Sequence, residues 1–129
     1  MRNEEEDEIR EVIELINSSI DNNTLILVEG VTDLRALQEA GINAKIFTLF
    51  DFYKWMDSEQ HGKAFRVIAM LDLDREGEST LRKLKNKYSN IVNFDELPRK
   101  KLRMTNRYKK GLRTIYQLFN VSNKGNEYV

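Results

Sequence analysis

TLILVEGVTDLRAL, residues 24–37, changes character at Glu29 and Gly30. Before them lies a short β-branched and leucine run, the pattern of a buried strand. After them Thr32 can cap a helix over 33–40, and Gly41 is expected to stop it. A strand that ends on a carboxylate and turns into a helix is half of a βαβ unit. MLDLDREGE, residues 70–78, repeats the event. The apolar run AFRVIAMLD stops on Asp72 and Asp74, and a polar helix over 75–88 follows, with Leu81, Leu84 and Tyr88 inward.

Working outward, residues 4–20 place Ile9, Val12, Ile13, Ile16 and Ile20 at helical spacing, with acids crowded into the first turns. AKIFTLF reads as another strand, 51–57 as a short helix and NIVNF as a fourth strand. Pro98 is expected to break the chain before 99–104. A last helix over about 107–119 is expected to turn Leu112, Ile115, Tyr116 and Phe119 to one face. His61 reads as a solvated loop side chain, and the tail SNKGNEYV as frayed. Apolar runs alternating with amphipathic helices predict an α/β fold, with about four parallel strands sandwiched between helices. The 129 residues form one domain in this reading. Its core lies at about 22–95, flanked by the helix 4–20 and a basic helical segment 99–119.

Composition narrows the function. Cysteine is absent, which excludes disulfides, thiolate metal sites and a cysteine nucleophile. No apolar stretch approaches the roughly 20 residues that cross a bilayer, and the acidic start lacks the features of a signal peptide. A cytoplasmic protein with no membrane role is the expectation. Net charge is zero but unevenly spread: residues 1–61 carry 14 acidic and 5 basic side chains, residues 62–129 carry 7 and 16. Arg99, Lys100, Lys101, Arg103, Arg107, Lys109, Lys110 and Arg113 follow one another with no acid among them. Such a block neutralises phosphates, or it is a solvated face paired with the acidic half.

In an open parallel sheet, ligands bind beyond the C-terminal ends of the strands. If the first and third strands are neighbours, Glu29, Asp72 and Asp74 meet there. Three carboxylates so placed repel one another, and a hard cation relieves this. Mg²⁺ suits a few carboxylates completed by water and phosphate. Gly30 permits close backbone approach or a positive φ. Gly77 would let a phosphate approach a helix N-terminus, and Arg75 at the same rim can grip it. Each residue also has an ordinary structural use: Asp74 as a cap for the helix from Arg75, Asp33 as a first-turn acid.

LVEGVTDLRALQEAGI resembles the first motif of bacterial primase Toprim domains, and LDLDREGES resembles the DxDREGE motif of type IA topoisomerases. The resemblance spans about residues 24–82. It implies the compact Toprim fold, Glu29 as an acid/base residue or ligand, and Asp72 and Asp74 as Mg²⁺ ligands, with Mn²⁺ able to substitute. Gly30 and Asp33 match the rest of the first motif, Arg75 and Glu78 the topoisomerase form of the second. The chain is too short for the tyrosine-bearing domains of a topoisomerase or the template-binding partners of a primase. The implied activity is therefore Mg²⁺-dependent phosphodiester hydrolysis or nicking of DNA or RNA. The alternative is a binding module without catalysis, working with other nucleic-acid-processing proteins. A haloacid-dehalogenase-type phosphatase shares the strand-end DxD but places it near the chain start, and ranks below both.

Overall fold

In the computed structural model, which describes residues 3–58 and 65–120, four parallel strands stand in the order β2-β1-β3-β4. They are β1 (Thr24–Val28), β2 (Ile46–Thr48), β3 (Phe65–Ala69) and β4 (Val92–Asp95). The helices are α1 (Glu4–Ser19), α2 (Val31–Glu39), α3 (Leu49–Asp57), α4 (Arg75–Tyr88), α5 (Leu97–Leu102), α6 (Asn106–Lys109) and α7 (Ile115–Phe119). His61 and residues 122–129 lie outside the described residues.

Side-chain alternation along β1 and β3 builds two cores. Ile26, Val28, Ile68 and Met70 pack with α1, α2, α5 and α7. Leu25, Leu27, Val67, Ala69 and Leu71 pack on the other face with α3 and α4. Every residue of β1 is buried, so a central strand covered on both sides reads as a continuous apolar run. Leu25 sits opposite Val67 and Leu27 opposite Ala69; β1 and β3 therefore end side by side. On the other flank Val28 pairs with Thr48, so the end of β2 joins the same rim.

The structure departs from the sequence expectations in four places. Helix α2 starts two residues early, with Gly30 as its N-cap and no side-chain cap bond. Thr32 is exposed and caps nothing. Strand β2 is short because Thr48 accepts from the Asp51 amide, turning Leu49 and Phe50 into α3. Pro98 lies in the first turn of α5, where its missing N–H costs nothing. The expected helix over 107–119 is two short ones. Gly111, at φ +110°, ends α6 in the left-handed region, and Thr114 with Gln117 forms a capping box that starts α7 afresh. The new phase buries Ile115, Leu118 and Phe119 and leaves Tyr116, expected in the core, 43% exposed.

Candidate acidic site at the strand ends

The backbone beyond β3 continues the ladder for one more bond, Met70 N–H donating to Leu27 O at 2.8 Å, and then leaves the sheet. This brings Asp72 beside the end of β1, where its amide donates to Glu29 Oε2 at 3.3 Å. The two carboxyls interact directly, each acting on the other's charge state. Burial raises the Glu29 carboxyl to about 7, and the Asp72 and Asp74 charges push the same way. Burial also raises Asp72, against the pull of the Ile115 amide. Asp33 is raised by burial and by Asp72, although it sits in α2.

The C-terminal segment closes over this group. Asp72 Oδ1 accepts from Ile115 N–H at 2.8 Å, and Asp33 Oδ1 accepts from Tyr116 N–H at 3.0 Å. Leu73 N–H donates to Arg113 O at 2.7 Å. The two carboxylates thus satisfy amides in the first turn of α7 that have no partner within the helix. Sequence reading missed this clamp; the Thr114-x-x-Gln117 box was the available signal for a helix starting there.

Asp74 behaves as a cap. Its Oδ1 accepts from Gly77 N–H at 2.7 Å, while its charge still acts on Glu29 and Asp72. Among the described residues no three His, Cys, Asp or Glu side chains form a ready-made ligand cluster. The pair Glu29 and Asp72 nonetheless fits Mg²⁺, which asks one or two carboxylates of the protein and takes its other ligands from water and phosphate.

Several expected phosphate contacts are placed otherwise. Gly30 has extended backbone (φ −150°), and a Cβ there would meet nothing within 4 Å. Its lack of a side chain is not used by the fold. Gly77 is buried against the Asp72 backbone, which leaves no space for a phosphate between them. Arg75 is exposed at the start of α4, on the rim.

The basic block divides. Arg99 is 1% exposed; its guanidinium donates to Leu71 O at 2.9 Å and Asp72 O at 2.7 Å, and pairs with Glu78 at 2.7 Å. It buttresses the strand end and is out of reach of any nucleic acid. Arg103 pairs with the same Glu78. Although burial opposes it, these two guanidinium groups hold the Glu78 carboxyl below its ordinary range. Arg107 and Lys110 reach Glu5 of α1, and Arg113 stacks 3.8 Å over Tyr108 while donating to its carbonyl. The block is thus largely tied to the protein itself, through Glu78 of α4, Glu5 of α1 and Tyr108. Lys100, Lys101 and Lys109 remain exposed.

The raised carboxyls give a pH dependence. Between about 4.5 and 7 the folded, metal-free protein holds protons that the unfolded chain has released, so stability falls as pH rises through that window. Melting temperature is expected to be lower at pH 8 than at pH 5. With solvent screening at this half-buried group, Glu29 contributes about 1 kcal/mol, or a few degrees. Glu29→Gln should flatten the profile; an unchanged slope in thermal melts would refute the buried carboxyl pair.

No family model and no curated protein matches the chain. Among solved structures it is similar to a protein from Aquifex aeolicus, at 28% identity and a TM-score of 0.66, over 91% of this chain and 99% of that one. The description of that protein states no function. Among the described residues, no helix is long and apolar enough to cross a membrane.

Proposed function

We propose that the chain is a small Toprim-like protein that cleaves or nicks nucleic acid with Mg²⁺. The supporting observation is that Glu29 and Asp72 meet at the C-terminal ends of adjacent parallel strands, the place where this topology binds ligands. Glu29 and Asp72 would hold the ion, with the Asp74 charge beside them. When bound, the ion supplies positive charge to the phosphoryl and leaving oxygens. Where Asp72 alone holds the ion, Glu29 beside it is placed to take a proton from the attacking water. The exposed Arg75 grips a neighbouring phosphate, and Lys100, Lys101 and Lys109 add charge at longer range. In this reading the protein works in the cytoplasm, with DNA or RNA as its partner.

A second reading has one observation in its favour: Asp72 and Asp74 each already serve a backbone amide. On that account the site is structural and the protein binds nucleic acid, or another processing protein, without turnover. Asp72→Asn separates the two, because an amide oxygen can still accept from Ile115 while the charge is gone. Losing a mere outer partner of a metal ligand costs about 10–100-fold, so loss of this charge should cost more. The assay is Mg²⁺- or Mn²⁺-dependent cleavage of single-stranded and duplex DNA and RNA. Equal cleavage by wild type and variant would sink the catalytic reading.

A further inference from the structure

The rim around the acids carries exposed aromatic surface that packing does not use. Phe50 is 69% exposed. It is the second residue of α3, two places beyond Thr48, and Thr48 lies beside Val28, the last residue of β1. Glu29 and Leu49 therefore leave the sheet next to each other, and Phe50 follows on the α3 face. Lys54, one helical turn on, sets its ammonium 5.3 Å from the Phe50 ring centroid. On the opposite face, Tyr116 exposes 43% of its surface in the first turn of α7, and its backbone is the one bound by Asp33. An aromatic residue thus stands on each side of the carboxylates, with Lys54 and Arg75 as exposed cations.

We propose that this rim selects unpaired nucleotides: a base stacks on Phe50, Tyr116 flanks the strand from the other face, and Lys54 and Arg75 hold the phosphates. The idea rests on the nucleic-acid reading above and narrows it to single-stranded substrate. Aromatic rings take any base by its π face but cannot reach one stacked within a duplex, while cations beside them follow the backbone. The charge favours this occupant over an apolar protein surface, because Lys54 brings a cation for phosphate to one face of the ring and the exposure of Phe50 leaves the rest open to a base. Phe50 is too exposed for its removal to disturb the core.

The test uses the full chain carrying Asp72→Asn, chosen to prevent cleavage of the probes if the catalytic reading holds, in Mg²⁺ buffer. Fluorescence anisotropy measures binding to a labelled oligothymidylate, to an abasic strand of equal length and to a duplex. The thymidylate is expected to bind best, by about 5- to 100-fold over the abasic strand. Adding Phe50→Ala should remove most of that preference and leave the abasic affinity unchanged; Tyr116→Ala should remove part of it. Equal loss on all three probes, no loss, or no binding to either single strand would overturn the proposal. So would sedimentation showing a dimer that Phe50→Ala dissolves, since the ring then serves a second copy. Absent cleavage by wild type with the base preference intact would refute catalysis alone. Intact cleavage with the preference unaffected by Phe50→Ala would refute the stacking alone.

Discussion

Gly77→Ala is expected to lower stability by about 2–4 kcal/mol, although the same change in an exposed helix would gain about 1 kcal/mol. A Cβ at this position would overlap the Asp72 carbonyl oxygen and lie 2.9 Å from its carbon. Both are backbone atoms and cannot swing aside. The oxygen is also the acceptor of an Arg99 bond, so moving it costs a second interaction. The midpoint of urea unfolding should fall accordingly, and affinity for Mn²⁺ should fall with it, since Asp72 shifts with its backbone. Gly30→Ala is the control: its site is open and its backbone extended, so it should change stability by no more than about 0.5 kcal/mol. Equal stability of Gly77→Ala and wild type would show that α4 does not approach the strand end this closely.

Arg99→Met should be comparably damaging, at about 2–5 kcal/mol, from about 1–3 kcal/mol for each carbonyl left without a donor. Methionine fills much of the volume but leaves the carbonyls of Leu71 and Asp72 buried without donors. Glu78 keeps Arg103, so the lost carbonyl partners should dominate. Arg99→Lys should recover only part, because one ammonium cannot reproduce the planar fork. Lys101→Met, two residues away and exposed, should leave stability within about 0.5 kcal/mol and instead weaken nucleic-acid binding at low salt. Denaturation of the three variants decides the matter: if Arg99→Met and Lys101→Met unfold alike, the buried guanidinium is not a support. Gly77 and Arg99 meet at one carbonyl, so their effects should not add.

These two residues mark where sequence reading ran out. The parallel sheet was legible because β1 and β3 are buried on both faces, and burial on both faces writes itself as unbroken apolar runs. Helix α4 was legible from its N-cap to Tyr88 because Asp74, Leu81 and Leu84 sit at the spacing that a cap and an inward stripe require. The rim position of Glu29 and Asp72 followed from topology. Arg99 was not legible: within RKKLR an arginine that holds two carbonyls looks the same as one that faces water. Nor was Gly77, whose role depends on a chain segment five residues earlier in sequence folding back against its helix. Tyr116 was misplaced because its helix was drawn through Gly111, where left-handed backbone resets the phase by which inward faces are counted.

The clamp of Asp72 and Asp33 on the amides of Ile115 and Tyr116 bears on how the protein is born. The two partners of the Asp72 bond are 43 residues apart, and those of the Asp33 bond 83. A ribosome delivers the acids well before the amides that hold them. For that interval the nascent chain carries its carboxylates unclamped. The clamp is assembled only once α7 has emerged, so incomplete polypeptides still on the ribosome carry Glu29 and Asp72 without it.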